Sequence, residues 1–300
     1  MLELRKEHAD AEFFLFLSNL HALTKDEWTP ESIRDNSYNL LKIYFATWFD
    51  PEEFFIYRQS DISAHAELAW IFECITHMGF MERMHAYKDA VAKGKSKELS
   101  VWTFAYPILM AVDIILYDAT HIPVGKDQKQ HVEYAKDIAQ KFNHQFGDTF
   151  VLPEPYIQQS VATVPWTDGR KMSKSYNNFI GLLDDPDLIR KKVSRIPTAA
   201  LPIDASKDPD EDNLYKIWKL FLDEEQDKQL RKRYTAGGLS YKDAKAELTE
   251  QIVSFVIPIQ ERFEKIEDGM IDEVLAKNAV RANEIGKQKV DEVYKLVGLR

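Results

Sequence analysis

The sequence is nearly free of cysteine: Cys74 is the only one in 300 residues. An internal disulfide is therefore excluded, and the chain fits a reducing compartment, with the cytoplasm as its expected location. It also lacks any stretch approaching the ~20 uncharged apolar residues that cross a bilayer, so no membrane partner is expected. The start, Met1 to His8, is interrupted by acids and followed by no small-residue cleavage site, which is not the layout of a secretory leader. Excess positive charge is missing too. A formal net charge of −10 argues against a general nucleic-acid coat, although a local basic face suffices to hold one polyanion. There is no internal repeat, no low-complexity tract and no cluster of metal-ligating residues, and no side chain stands out as a nucleophile.

What is there supports a substantial core. A chain of 300 residues, 45% hydrophobic and 29% charged, exceeds one typical domain and suggests two. Glu12 to Leu17 reads as a buried strand that turns at Ser18-Asn19, and Phe54 to Tyr57 reads as a second. Thr29-Pro30-Glu31 starts a helix running to Phe49, with Thr29 as cap and Pro30 in the first turn. Ala64 to Gly79, the apolar run around Met110, and Gln128 to Phe142 read as further helices, with a short strand at Ile122-Pro123-Val124. Strands alternating with helices predict parallel α/β architecture. After Asp184-Asp185-Pro186 the strand signals vanish and long amphipathic helices take over. The expected domains are residues 1–184, α/β, and 185–300, all-helical, with the last helix able to pack back on the first domain.

Two stretches carry chemistry. Lys171-Met172-Ser173-Lys174-Ser175 follows Thr167-Asp168-Gly169-Arg170 in a turn-rich, polar segment. Two lysines three apart, interleaved with hydroxyls, make a cationic loop suited to a polyphosphate, since each ammonium is a point charge and each serine can donate a hydrogen bond. The bland alternative is a solvated basic turn. The other stretch, Ala105 to Tyr117, is almost wholly apolar but contains Asp113. A carboxylate there is costly to bury unless paired, so it is either a ligand's acceptor or a structural carboxylate capping a helix or pairing with a lysine. Met110 and Ile114 are one turn apart and near the face of Asp113, so a helix could present all three together. Downstream, Gly125-Lys126-Asp127 opens a helix. Glycine admits close approach of backbone to ligand, and a helix N-terminus favours anions.

The lysine loop, with Tyr176-Asn177-Asn178 after it, resembles the signature loop of class I aminoacyl-tRNA synthetases, in their tryptophanyl branch. Ala105 to Tyr117 and Ile122 to His131 resemble the same family in the same order and at similar spacing. The likeness extends through Arg83 to Lys93, Asp137 to Asn143, Tyr234 to Leu239 and Pro258 to Arg262, so it covers almost the whole chain. The resemblance implies a class I Rossmann-like parallel sheet followed by a helical anticodon-binding domain, and a homodimer. It implies a ligase that activates L-tryptophan with ATP to tryptophanyl-adenylate, releasing pyrophosphate, and passes the acyl group to tRNA-Trp, with Mg²⁺ on the ATP phosphates. Asp113 would accept the indole N–H, the one polar atom of that ring system. Tyr106, Met110, Ile114, Ile122 and Val124 would line the pocket, Gln128 would reach the α-ammonium, and His21, ending the first strand, would approach it. Gly125, Lys126 and Asp127 are assigned to ATP, with Asp127 near the ribose and Val164 near adenine. Lys171, Met172, Ser173, Lys174 and Ser175 would hold the phosphates, the lysines stabilising the departing pyrophosphate. Basic candidates for tRNA are Arg190, Lys191, Lys192 and Arg195, and Arg231, Lys232 and Arg233; each patch reads equally well as a solvated helix face.

The match fails in one place. The family's second signature, a His-x-Gly-His type sequence after the first strand, has no counterpart before Leu15. His77-Met78-Gly79-Phe80 is only superficially similar and falls late in a helical segment. The expectation is a chain lacking the first strand, the glycine-containing turn and most of the first helix, either as part of a longer protein or as a natural short paralogue. A non-charging form that binds tryptophan, nucleotide or RNA is therefore the alternative function. Trp166, where the family commonly has glycine, could alter closure of the lysine loop.

Overall fold

The computed structural model describes residues 2–24, 28–47, 49–92, 100–125, 128–157 and 178–300. Contacts divide the chain into two compact units, Met1–Gln159 with Ile266–Arg300, and Ser160–Lys265. The first unit begins with helix α1 (Leu2–Glu7), strand β1 (Phe13–Leu17), the helical turn α2 (Asn19–Ala22), α3 (Pro30–Ala46) and β2 (Phe54–Arg58). It continues through α4 (Ala64–Ile75), α5 (Met78–Met81), α6 (His85–Ala92), α7 (Val101–Ile115), β3 (His121–Pro123), α8 (Lys129–Phe146) and β4 (Glu154–Tyr156). The second unit contains α9 (Pro186–Ser194), α10 (Asn213–Trp218), α11 (Glu224–Ala236) and α12 (Tyr241–Lys265), after which α13 (Asp268–Leu296) belongs again to the first.

Strands β1 and β2 pair in parallel, Phe13 opposite Phe54 through Leu17 opposite Arg58. Side chains alternate across a strand, and here both faces are covered. Phe55 and Tyr57 enter a core with Leu68 and Phe72 of α4, Val112 and Ile115 of α7, and Phe142 of α8. Phe54 and Ile56 point the other way, to Leu17, Leu41, Ile271 and Leu275. An apolar run without polar alternation is what burial on both faces requires. The outer edge of β2 is met by α13, whose Asn278 Nδ2 donates to the Ile56 carbonyl at 2.8 Å.

The α/β expectation holds, with every strand pair among the described residues parallel. Thr29 and Ser32 close a reciprocal cap on α3: the Ser32 amide donates to Thr29 Oγ1 and the Thr29 amide to Ser32 Oγ. The helix expected over Ala64 to Gly79 divides instead, with extended backbone at Thr76 and His77. That break turns Met81, only 3% exposed, into the core. Strand β4, paired to β3 with Pro155 opposite Ile122, has no counterpart in the sequence reading.

The second unit has no strand among its described residues. Ile189 and Val193 of α9, Leu214 and Trp218 of α10, Leu230 and Tyr234 of α11, and Leu248 and Ile252 of α12 share its core. Gly237 ends α11 with φ +77°, and a Cβ there would lie 2.3 Å from the Asp204 carbonyl oxygen. Only glycine satisfies both conditions.

Candidate active site

A cavity of about 490 Å³ opens between the end of β1, helix α7 and the β3–α8 connection. Its back wall is a stripe of α7: Tyr106, Met110, Asp113 and Ile114 all line it. These positions are i, i+4, i+7 and i+8, one face of an α-helix. The other face, with Ile108, Ala111, Val112 and Ile115, is buried in the core and fixes the helix in rotation. Ile122 of β3, Val124 just beyond it, and Gln128 at the N-cap of α8 form the opposite wall. His21 closes one side, from the helical turn α2 and not from the end of β1 as expected, because β1 stops at Leu17.

Asp113 is the polar centre. It is 7% exposed, and no lysine pairs with it among the described residues. Gln59 Nε2 donates to its Oδ1 at 2.7 Å. His65 Nδ1 lies 2.7 Å from the same oxygen, a close polar contact set off the hydrogen-bonding line. On the cavity side, His21 Nε2 is 2.8 Å from Oδ2. Gln59 also takes the Leu20 amide on its Oε1 at 3.1 Å, tying α2 to the carboxylate.

The remaining surface is aromatic. Tyr106 stands between Trp102, at 5.9 Å between ring centres, and His21, edge-on at 6.3 Å. Burial pushes the Tyr106 hydroxyl above its ordinary range, so it stays neutral and able to donate. Gln128 Oε1 lies 2.7 Å from His131 Nδ1, which orients the amide at the rim.

Seven residues assigned to tryptophan from sequence (Asp113, Gln128, Tyr106, Met110, Ile114, Val124 and His21), and Ile122 with them, thus come together around one cavity. Gly125 adjoins it, its carbonyl accepting from the Gln128 amide at 2.9 Å. Lys126, Asp127, Val164, Trp166, Lys171, Met172, Ser173, Lys174 and Ser175 lie outside the described residues. Sequence reasoning missed Gln59, His65, Trp102, Phe16 and Thr24. Of these only His65, a histidine on an otherwise apolar helix face, left a signal, and such residues are more often plain core.

In the second unit, the proposed basic patches are partly neutralised. Arg190 pairs with Asp187 and Lys192 with Asp184. Arg231 reaches Asp210 and Arg233 reaches Glu247, each through two guanidinium nitrogens. The guanidinium groups hold the Asp210 and Glu247 carboxyls below their usual range.

The fold and this site define an α/β enzyme class: residues 1–256 match the family model described as tRNA synthetases class I (W and Y). The tryptophan–tRNA ligase of Fusobacterium nucleatum is 39% identical over 95% of this chain and 88% of its own. That of Rhodopirellula baltica is 39% identical over 97% and 91%. The crystal structure of the Campylobacter jejuni tryptophanyl-tRNA synthetase, complexed with ADP and tryptophan, superposes with a TM-score of 0.89 at 38% identity, over 99% of this chain and 92% of that one. The chain belongs to the tryptophan–tRNA ligase family.

Proposed function

We propose that the chain activates L-tryptophan with ATP, forming tryptophanyl-adenylate and releasing pyrophosphate, and then transfers the acyl group to tRNA-Trp. The observation that carries this reading is Asp113, a carboxylate fixed at the back of an aromatic and aliphatic cavity with Oδ2 on the cavity side. An indole fits such a site because it offers a large apolar body and a single donor. Tyr106, Met110, Ile114, Ile122 and Val124 hold the ring, and Gln128 reaches the α-ammonium.

Adenylate formation is an attack of the tryptophan carboxylate on the α-phosphorus, breaking the bond to pyrophosphate. No side-chain nucleophile is required. Positioning and charge stabilisation supply the rate, and we assign Gly125, Lys126, Asp127 and Val164 to ATP and the loop Lys171 to Ser175 to its phosphates. Mg²⁺ enters on those phosphates as part of the substrate. Among the described residues, no group of three or more His, Cys, Asp or Glu is disposed to hold a metal of its own. The helical unit would read the anticodon, with Lys191, Arg195 and Lys232 joining the paired arginines in phosphate contacts. The chain would act in the cytoplasm as a homodimer. Exposed Trp70 and Val101, 67% and 86% accessible, support an apolar contact surface. No helix of the described residues is long and apolar enough to cross a membrane.

Aminoacylation tests the assignment. With a tRNA pool and labelled amino acids, the expected result is acid-precipitable tryptophan and no acid-precipitable tyrosine. Charging with tyrosine, or with neither, would overturn it.

A further inference from the structure

Asp113 does not meet a ligand alone. Two fully buried side chains, Gln59 and His65, both 0% exposed, approach Oδ1 from behind. His21, 20% exposed in its side chain, approaches Oδ2 at the cavity. A carboxylate has about four lone-pair directions; Gln59 and His21 take one each and His65 stands 2.7 Å from Oδ1 off the hydrogen-bonding line, so capacity for a further donor remains. That remaining capacity matches a ligand ring bearing one N–H.

The His65 ring cannot readily turn away. It packs against Tyr57 at 6.1 Å and 25°, against Phe16 at 6.1 Å and 33°, and against Tyr117 at 5.9 Å and 58°. Neither ring nitrogen completes a hydrogen bond among the described residues; Nδ1 stands 2.7 Å from Asp113 Oδ1, whereas the far nitrogen, Nε2, faces no polar partner. A proton on Nε2 would strand a buried donor and turn the Nδ1 lone pair toward the carboxylate. The proton therefore belongs on Nδ1, facing Asp113. An apolar side chain would fill the space without an orphaned nitrogen, so what the imidazole adds to this core is directed at the carboxylate.

We propose that His65 is a positioning residue: with Gln59, it pins Oδ1 of Asp113 so that Oδ2 stays turned to the cavity as the acceptor for the indole N–H. It makes no contact with the ligand itself, since it does not line the cavity. Its effect is on discrimination, because a site built around one donor rejects rings that lack it. The inference rests on the tryptophan reading above.

The test is equilibrium titration of the whole chain with L-tryptophan and with its benzothiophene analogue, in which sulfur replaces the N–H. The native chain should prefer tryptophan by about a hundredfold or more. In His65→Leu the preference should fall about tenfold or more, mainly through weaker tryptophan binding, with the analogue little changed. In His65→Asn, whose amide nitrogen can stand near the Nδ1 position, most of the preference should return. Analogue binding also reports that each variant has kept its cavity. Equal loss of both ligands without rescue by asparagine would make His65 structural and overturn the proposal, as would an unchanged preference in His65→Leu. A native chain with no preference at all would instead overturn the tryptophan assignment, and this proposal with it.

Discussion

Asp113→Ala should lower kcat/KM for tryptophan activation by about 10²- to 10³-fold, or ~3–4 kcal/mol of transition-state stabilisation. Two losses combine. The indole N–H, desolvated in the cavity, no longer finds its acceptor, and Gln59 and His21 lose theirs while His65 is left facing an uncharged gap. Because Gln59 and His65 are fully buried, the substitution should also destabilise the fold by about 1–3 kcal/mol. Steady-state exchange kinetics read the first effect and urea unfolding the second. Asp113→Ala kinetics within threefold of the native chain would place the recognition of tryptophan elsewhere.

Lys174→Ala should separate binding from chemistry. If the loop Lys171 to Ser175 meets charge that develops on the departing pyrophosphate, removing one ammonium should lower kcat by about 10²–10³. The dissociation constant for tryptophan, measured by calorimetry without ATP, should not move, because the described lining of the cavity already supplies the indole's acceptor and its apolar walls. A fall in tryptophan affinity equal to the fall in rate would assign the lysine to substrate binding or to the fold. A charged loop carrying no functional load would show neither change.

How much of this was legible in the sequence depends on how local the signal was. Part of the α7 stripe could be read because helical periodicity places Met110, Asp113 and Ile114 near one face, while Tyr106 and the ligand role of Asp113 came only from the family resemblance. The parallel strands β1 and β2 could be read from dense runs of aromatic and branched residues. The partners of Asp113 could not. Gln59 lies 54 positions away in a turn after β2, and His65 begins α4, so only the tertiary arrangement joins them to α7. His21 was placed at a strand end because one residue type says little about where a five-residue strand stops. Strand β4 carries proline at its centre, which the ladder tolerates at an edge but which masks the strand signal. The anchoring of α13 to β2 through Asn278 spans 222 positions and left no trace in local pattern.

The central claim is that this chain forms an adenylate with tryptophan, and the most direct measurement is exchange of labelled pyrophosphate into ATP by the 300-residue chain. The account predicts exchange that requires L-tryptophan, is not supported by tyrosine, and is lost in Lys174→Ala. Exchange independent of tryptophan, or none at all while tryptophan still binds in a separate titration, would contradict it.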